Sequence, residues 1–380
     1  MTHSSATAII LAAGESRRMG VLKPLLPLGE KPVLERVVDL FQASGISDIR
    51  VVTGHRGEEI RQCLPSLRVE WIHNTKFPEG MFSSIKKGLE NISPSRACFF
   101  LMPADIPLVR SHTLSVLQEK WETPENGAPI LYPTFMGKRG HPPLISTRYI
   151  PEIMMWNRPG GLRVFLERNK KNAVDIPVID EYILKDMDTR PDYEHIVLAW
   201  RRYDIPTAAE CMAMLNNPVY FSRSTAAHCR AVARLAVYLG RKLADRNSCI
   251  NLERISASAL LHDVSKGHPF HARAGADLLS KLGFSGIADI VSGHMDIALQ
   301  VKTILTDREV VYLADKLVKE DKLVPLSVRF EDKLARHGHD PAARAAILKR
   351  KADTLAIVRL FEKECGTLLQ KLLDEYVRNP

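Results

Sequence analysis

Four histidines and two aspartates in the second half of the chain have the residue types and the order of a metal-binding set. His262 and Asp263 are adjacent and follow an apolar helical run, so both side chains can reach one or two metal ions held between helices. Imidazole nitrogens combined with carboxylate oxygens suit Mn²⁺, Fe²⁺ or Zn²⁺ better than Mg²⁺ alone. A lone histidine is usually structural, but this many together predict a metal centre. The predicted ligands are His228, His262, Asp263, His271, His294 and Asp315.

A glycine turn follows the first apolar run of the chain and leads into basic residues. Backbone N–H groups of such a turn can cradle phosphates at the carboxyl edge of an open α/β sheet. Arg18 and Lys23 can neutralise the charge that develops on a leaving pyrophosphate. The turn is not a Walker A loop, because Lys23 lacks the flanking glycine and Ser/Thr, and it lacks the G-x-G-x-x-G fingerprint. The predicted nucleotide-binding residues of the turn are Leu11, Ala12, Ala13 and Gly14.

The first half of the chain alternates short β-rich apolar runs with helical patterns, which is typical of βαβ units. We therefore expect an α/β domain with a Rossmann-like, mostly parallel sheet over residues 1–205. The predicted strands are 8–11, 49–53, 69–72, 98–102, 129–133 and 173–177, and the predicted helices are 32–43, 57–64, 82–91 and 191–202.

The second half shows helical periodicity and almost no strand-like alternation. We expect an all-α domain over residues 206–380, with the short helix 208–215 belonging to either side of the boundary. The other predicted helices are 224–243, 252–261, 272–282, 307–320 and 341–376.

Size and composition fit two globular domains. The chain has 380 residues, which exceeds the roughly 250–300 at which single cores split. Its net charge of +9 favours an anionic partner, either a nucleic acid or a small phosphorylated substrate. Basic residues form no long run and are not interleaved with aromatic residues, so we favour the small substrate and expect no nucleic-acid partner.

Cysteine usage and hydropathy indicate the compartment. Six cysteines are scattered without a C-x-x-C pair, which argues against a zinc knuckle or redox motif and suits a reducing compartment. The apolar start is short and lacks a preceding basic region, and no apolar run approaches the ~20 residues of a membrane helix. We expect a cytoplasmic protein without a membrane partner.

Several segments of the first half resemble the MobA-like nucleotidyltransferases, which attach a nucleotide to the molybdenum cofactor. Residues 11–26 resemble L-x-A-G-x-S-x-R-M-G…K-x-L-L, and residues 80–89 resemble a segment whose helix start, here Ser83 and Ser84, lies beside the nucleotide. Residues 102–109 resemble G-D-x-P-x-(V/L), although Pro103 and Ala104 depart from it. The remaining matches are the G-H-P turn of residues 140–143, which contains His141, and the D-(I/V)-D-T segment of residues 185–189, after which Arg190 departs from the pattern.

The resemblance implies attack on the α-phosphate of a nucleoside triphosphate with Mg²⁺ held by carboxylates. Asp105 is the expected Mg²⁺ ligand, with Asp186 or Asp188 as a second, and Asp105 joins Arg18 and Lys23 as a catalytic residue. Taken singly, Asp105 also fits a helix N-cap and Asp188 a turn residue. For His141, a turn or core role is as well supported as a substrate contact.

The identity of the nucleotide follows from one position of the opening motif. L-A-A-G, read here at Ala12 and Ala13, resembles cytidylyl transferases acting on molybdopterin, whereas L-A-G-G resembles guanylyl transferases. We therefore expect CTP, a molybdopterin-type acceptor and a molybdoenzyme that receives the product. Open alternatives are GTP, another phosphorylated acceptor, and a cofactor-delivery protein that binds nucleotide without turnover. The motifs of sugar-1-phosphate nucleotidyltransferases and methylerythritol-phosphate cytidylyltransferases are not matched.

Residues 222–332 resemble the HD phosphohydrolase superfamily, whose pattern is H…HD…D. The most specific segments are residues 260–267 and 311–316. The resemblance implies core ligands at His228, His262, Asp263 and Asp315, and a second metal position that adds His271 and His294. Two ions such as Mn²⁺ or Fe²⁺ would activate water and clamp a phosphate. Lys266 could contact the substrate phosphate or be a solvated helix-end lysine, and the sequence does not name the substrate.

Overall fold

The computed structural model describes residues 6–15, 19–123, 129–246, 249–297 and 304–378. Arg18, a predicted catalytic residue, lies outside these ranges. Contacts within the chain divide it into two compact units, Met1–Tyr203 and Asp204–Pro380. The helix Ala208–Leu215 belongs to the second unit.

A sheet of eight strands forms the centre of the first unit, in the order β10-β7-β9-β6-β1-β4-β5 with β8 beside β7. The strands β6, β1, β4 and β5 are mutually parallel, whereas β9 runs antiparallel to β6 and β7. A separate two-stranded hairpin consists of β2 and β3. The bounds are β1 Ala6–Ala12, β2 Pro27–Leu28, β3 Lys31–Pro32, β4 Ile49–Thr53, β5 Glu70–His73, β6 Cys98–Pro103, β7 Ile130–Phe135, β8 Lys138–Arg139, β9 Leu144–Ser146 and β10 Ala173–Pro177.

Helices cover both faces of this sheet, so the predicted α/β architecture is confirmed. The sequence patterns did not predict α4, α5, α6 or the antiparallel strand β9. The bounds are α1 Val33–Ala43, α2 Gly57–Cys63, α3 Met81–Leu89, α4 Ser111–Glu122, α5 Ile150–Met155, α6 Gly161–Arg168 and α7 Arg190–Trp200.

The central strands are mostly apolar because both of their faces are covered. Along β6, Phe99 joins the core formed with α3, α5 and α6, while its neighbour Phe100 faces α1. There the ring centroids of Phe41 and Phe100 are 5.8 Å apart, and both side chains are fully buried. Removing such a ring would destabilise the fold by about 3–5 kcal/mol.

The register of the parallel strands brings three chain segments to one edge of the sheet. Leu11 of β1 is level with Pro103 of β6, and Ala12 is level with Thr53 of β4. The N–H of Ala104 donates to the carbonyl of Leu11 at 3.0 Å. The glycine turn after β1 and the aspartate segment after β6 therefore meet at the carboxyl edge, where open α/β sheets bind ligands.

The second unit consists of helices around α9 and α13, with one small hairpin of β11 and β12. Nearly every residue of α13 is buried, which makes it the central helix of the unit. None of the described helices is long and apolar enough to cross a membrane. The bounds are α8 Ala208–Leu215, α9 Arg223–Ala244, α10 Leu252–Leu261, α11 His271–Lys281, α12 Ala288–Gly293, α13 Asp307–Leu317, β11 Val318–Lys319, β12 Lys322–Leu323, α14 Leu326–His337, α15 Pro341–Cys365 and α16 Leu369–Arg378.

Two predicted helices were too long. The helix expected over 307–320 ends at Leu317, because the chain turns through Glu320, whose φ is +58°, into the β11–β12 hairpin. The helix expected over 341–376 is interrupted at Gly366, whose φ of +67° is the left-handed conformation that ends helices. The short helix α12 and the longer α14 were not predicted.

Candidate active sites of the two units

The carboxyl edge of the sheet opens into a cleft of about 640 Å³. Its walls come from the glycine turn, the segment after β6, the start of α3 and the segment before α7. Most of the residues predicted to bind nucleotide line it: Leu11, Ala12, Ala13, Gly14, Lys23, Ser84 and Asp105. Asp188, which was predicted as a metal ligand, lines it too.

Lys23 connects the two predicted carboxylate ligands. Its ammonium donates to Asp105 Oδ2 at 3.1 Å and to Asp188 Oδ1 at 2.8 Å. Burial lowers the pKa of Lys23, but the hydrogen bond to Asp188 and the charge of Asp105 outweigh that effect and leave the pKa above its ordinary value. Lys23 therefore stays protonated at neutral pH and holds the two carboxylates at one point.

Asp105 is not a helix cap, because α4 begins only at Ser111 and its N-cap is Arg110. The carbonyl of Asp105 instead accepts a hydrogen bond from the N–H of Met187 at 3.1 Å, which ties the segment after β6 to the segment that carries Asp188. Asp105 lines the cleft, and this backbone contact fixes its position relative to Asp188.

The start of α3 forms the opposite wall of the cleft. Asn74, which is 3% exposed, donates to Ser83 Oγ at 2.9 Å and to Ser84 Oγ at 3.0 Å. Ser83 Oγ also donates to the backbone and is not among the cleft-lining atoms, whereas Ser84 lines the cleft. The buried amide of Asn74 therefore holds the start of α3, which the resemblance places beside a nucleotide. Of the two serines, Ser84 is the one that would face a ligand in the cleft.

Sequence reasoning missed the apolar part of this wall, which includes Phe77 and Met81. Phe77 lies against Gly54, where an added Cβ would be 2.6 Å from the Phe77 Cβ. Gly80, with a φ of +100°, lets the chain enter α3 directly after this segment. Both glycines can be read from the sequence as sites of close packing or unusual backbone conformation. Only the fold shows that they bring Phe77 and Met81 to the cleft.

Asp186 and His141 lie close to the carboxylates of the cleft. Partial burial and the charges of Asp188 and Asp105 raise the pKa of Asp186. Burial lowers the pKa of His141 in spite of the nearby charges of Asp105 and Asp186, so its imidazole is neutral. Its Nδ1 is buried and has no hydrogen-bond partner among the described residues.

Five of the six predicted metal ligands of the second unit line one pocket of about 590 Å³, and the sixth, His262, has a ring nitrogen within 4.8 Å of the ligand atoms of His228 and Asp315. Their atoms form two groups of three, His228–His262–Asp315 and Asp263–His271–His294, in each of which the ligand atoms lie within 4.8 Å of one another. A third group, Cys229–His262–Asp263, shares one residue with each of them.

In the first group, His228 Nε2 is 3.2 Å and His262 Nε2 is 3.7 Å from Asp315 Oδ1. In the second, His271 Nε2 and His294 Nε2 are 3.2 Å apart, and each is 3.6 Å from Asp263 Oδ1.

Asp263 connects the two groups through its two oxygens. While Oδ1 faces the second group, Oδ2 is 3.6 Å from His262 Nε2 and 4.0 Å from His228 Nε2 of the first. One carboxylate can therefore serve two adjacent metal positions, as in dinuclear hydrolytic sites.

Backbone carbonyls orient three of the histidines. The Nδ1 atoms of His228, His262 and His294 lie 2.7, 2.9 and 2.6 Å from the carbonyl oxygens of Glu320, Ala259 and Val291. Such contacts fix the proton on Nδ1 and direct the Nε2 lone pair to the centre. His262 Nε2 is buried and has no hydrogen-bond partner in the part of the chain that the structure describes, as expected of an atom shaped for a metal.

The protonation states also fit metal ligands. Burial lowers the pKa of His262 to about 4, assisted by the charge of His294, so the ring is neutral. Burial would raise the pKa of Asp315, but Lys316 and His228 hold it well below its ordinary value. Neutral imidazoles beside ionised carboxylates are what a divalent cation requires.

Two nearby side chains have other roles. Cys229 Sγ is 3.8 Å from His262 Nδ1, but burial raises the pKa of this thiol, and that nitrogen already contacts a carbonyl. Lys266, predicted as a substrate contact, is half exposed and donates to Asp263 Oδ2 at 2.6 Å. Lys266 thus lies at the mouth of the pocket with its ammonium on the bridging carboxylate.

Comparison with known families matches both units. Residues 8–174 match the family model of the MobA-like NTP transferase domain, and residues 225–319 match that of the HD domain. The chain combines a MobA-like NTP transferase domain with an HD domain. A nucleotidyltransferase domain together with an HD domain supports enzyme activity.

Two curated proteins are similar to the transferase domain. The molybdenum cofactor cytidylyltransferase of Escherichia coli (strain K12) is 27% identical over 201 residues, which are 53% of this chain and 98% of that protein. The bifunctional protein GlmU of Legionella pneumophila subsp. pneumophila is 37% identical over 113 residues, which are 29% of this chain. The chain spans only 24% of the length of that GlmU protein.

Among solved structures, a nucleotidyl transferase from Methanothermobacter thermautotroptrophicus is similar at 20% identity and a TM-score of 0.46, covering 52% of this chain and 98% of that one.

Proposed function

We propose that the transferase domain transfers CMP from CTP to a molybdopterin-type molybdenum cofactor and releases pyrophosphate. The observation that carries this proposal is the Lys23 bridge between Asp105 and Asp188 below the glycine turn. The extended similarity to a molybdenum cofactor cytidylyltransferase, over 53% of this chain, supports the choice of acceptor.

The proposed reaction needs charge control more than covalent chemistry. An acceptor phosphate oxygen bonds to the α-phosphorus of CTP, the bond to the β-phosphate oxygen breaks, and pyrophosphate leaves. Asp105 and Asp188 are the residues that would hold Mg²⁺, which offsets negative charge on the phosphates when bound. Lys23 would then exchange a carboxylate contact for a phosphate oxygen, and the backbone of the glycine turn would orient the triphosphate.

The preference for CTP rests on Ala13. Its side chain is 8% exposed and borders the cleft, so its methyl group narrows the space available to a base. A purine occupies more room than a pyrimidine, and a single methyl group in a pocket is worth about 10–200-fold in discrimination.

The test is transfer of α-labelled CTP, GTP, ATP or UTP in Mg²⁺ to a molybdopterin-type acceptor by the full-length protein. We expect label in the pterin product from CTP alone. Label transfer to a different phosphorylated acceptor would revise the substrate, and nucleotide binding without transfer to any acceptor would favour a delivery protein.

We further propose that the HD domain hydrolyses a phosphate ester at a centre of two divalent ions such as Mn²⁺ or Fe²⁺. The residues that would hold them are His228, His262, Asp315, Asp263, His271 and His294. The ions would activate water and polarise the phosphate when bound. Asp263 holds both positions together, and Lys266 would move from Asp263 to the phosphate.

The corresponding test measures hydrolysis of para-nitrophenyl phosphate by full-length protein loaded with each metal, together with metal content by mass spectrometry. Two ions per chain and metal-dependent release of phosphate are expected. Absence of hydrolysis with every metal would contradict the hydrolase proposal.

A further inference from the structure

A second cavity adjoins the metal pocket of the HD domain. It measures about 690 Å³ and lies between α14 and α15. Glu320, Arg329 and Lys333 line both this cavity and the metal pocket, so these three side chains lie where the two spaces adjoin. Its walls lie largely beyond residue 319, where the match to the HD domain ends.

Most basic side chains of this second cavity already have a carboxylate partner. Lys319 and Arg336 both contact Asp332, at 2.8 and 2.5 Å. Arg350 makes a two-pronged contact with Asp296, at 2.6 and 2.9 Å. These pairs leave little positive charge to attract a ligand.

Lys333 and Arg329 differ from these residues. Among the described residues, Lys333 makes no hydrogen bond and no ion pair, and Arg329 Nε is buried without a hydrogen-bond partner. Arg329 Nη1 donates to the carbonyl of Val318 at 2.8 Å, and Asp315 Oδ1 is 3.9 Å from its Nη2. Burial and the neighbouring charges of Lys316 and Arg329 lower the pKa of Lys333 to about 8.

Arg329 and Lys333 are partly buried cations side by side, and the 3.9 Å contact between Arg329 and Asp315 is their only ion pair among the described residues, so a further anion between them would be stabilised. They lie one helical turn apart on α14, so both can reach one anion. Their position at the junction of the two cavities places that anion beside the metal ligands but not on them.

We propose that Arg329 and Lys333 form a subsite for a second phosphoryl group of the molecule that the HD domain hydrolyses. The substrate class is a small bisphosphate: one phosphoryl ester lies over the metal ligands, and the other is held by α14. Water bonds to the first phosphorus, its bond to the ester oxygen breaks, and the alcohol leaves with a proton. Inorganic phosphate is released, and the product keeps the second phosphoryl group. This inference rests on the proposed hydrolase function.

The experiment compares Mn²⁺-loaded full-length protein acting on adenosine 5′-monophosphate, adenosine 5′-diphosphate and adenosine 3′,5′-bisphosphate. We expect kcat/KM to be about tenfold higher or more when a second phosphoryl group is present, mainly through a lower KM. The two doubly phosphorylated compounds distinguish an adjacent second group from a distant one. Equal kcat/KM for all three would overturn the subsite while leaving the hydrolase function intact.

Substitutions assign the preference to the subsite. Lys333→Met should remove it, Lys333→Arg should retain it, and Lys371→Met, at an exposed lysine of α16, should leave it unchanged. The preference is a ratio within each variant, so a general loss of activity does not obscure it. A preference that persists in Lys333→Met would contradict the proposal.

A binding measurement separates the two proposals if no ester is hydrolysed. Calorimetry would follow inorganic pyrophosphate binding to metal-loaded protein in a Lys23→Ala background, which weakens phosphate binding by the transferase cleft. A roughly tenfold loss of affinity in Lys333→Met would keep the subsite although the hydrolase proposal had failed. Unchanged affinity would overturn the subsite.

Discussion

The transferase cleft and the HD centre hold their carboxylates in different ways. In the cleft, one lysine, Lys23, occupies both Asp105 and Asp188. In the HD centre, Asp315 gives Oδ2 to Lys316 but keeps Oδ1 beside the histidines. The two carboxylates of the cleft thus share a single cation, whereas the HD centre keeps ligand atoms directed to one another around a common point.

Burial sharpens the difference. Asp188 is 47% exposed and Asp105 25%, whereas the side chains of His262 and Asp315 are 1% and 9% exposed. A partly exposed pair of carboxylates leaves most positions of Mg²⁺ to water and substrate phosphates. This difference predicts that the cleft would acquire its metal together with the nucleotide, while the HD domain would carry its metals as resident cofactors.

The most severe test of the cleft is Asp105→Ala. We expect label transfer from CTP to fall by about 10³-fold or more, because the phosphates lose their main metal ligand. Thermal unfolding should be unchanged, since the side chain supports no core contact. The matched control is Asp39→Ala, which removes a carboxylate of α1 that is paired with Lys31. This variant should transfer CMP at the normal rate.

Asp263→Ala tests whether one carboxylate serves both HD metal positions. It should reduce metal content from two ions to fewer than one and abolish phosphate release, whereas His294→Ala should lose only one ion. CTP transfer should persist in both variants. Retention of two ions in Asp263→Ala would show that the groups are independent.

Chelation tests the difference between resident and substrate-borne metals. Removing metal from the full-length protein should lower the unfolding temperature of the HD domain, because bound ions stabilise the folded state. The transferase domain should unfold at an unchanged temperature. Calorimetry with and without a chelator measures this, and equal shifts in both domains would refute the distinction.

Ala13→Gly examines nucleotide choice without touching charge. It converts L-A-A-G to L-A-G-G and should raise GTP use relative to CTP by about tenfold. A ratio of kcat/KM values that does not change would show that the base is selected elsewhere in the cleft.

The smallest expected effect is that of Asn74→Ala. Its amide joins both serines at the start of α3, so its loss should cost about 1–3 kcal/mol of stability. We also expect a few-fold rise in the KM for nucleotide with little change in kcat. Denaturant unfolding and steady-state kinetics measure the two effects separately.

The sequence predicted the fold class and named candidate metal ligands because both follow from local sequence patterns. Alternating apolar runs indicated the mostly parallel sheet, and the helical periodicity of the second half indicated the helical domain. The metal centre that the His-Asp pair indicates stays a prediction, although its side chains lie close together. The length of the helix after Asp307 was wrong, because helix propensity alone does not report the turn at Glu320.

The basic subsite could not be predicted from sequence. Arg329 and Lys333 are four residues apart on α14, a spacing that is common on solvated helix faces. Only the packing of α14 beside the metal pocket shows that these side chains are partly buried, that Lys333 makes no ion pair among the described residues and that Arg329 has only a 3.9 Å contact with Asp315, whereas Arg336 on the same helix contacts Asp332 at 2.5 Å.

The length of the β11–β12 hairpin should affect the metal affinity of the HD domain. Its turn residue Glu320 supplies the carbonyl that contacts His228 Nδ1 at 2.7 Å. Loops of this kind normally tolerate insertions and deletions. Here a one-residue change in length would move the Glu320 carbonyl and thereby displace His228 from the proposed metal position, although no ligand residue is substituted. Contacts of this type are worth about 10–100-fold in metal affinity. Insertions or deletions in the hairpin would therefore change the metal affinity of the proposed hydrolase while the ligand set remains intact.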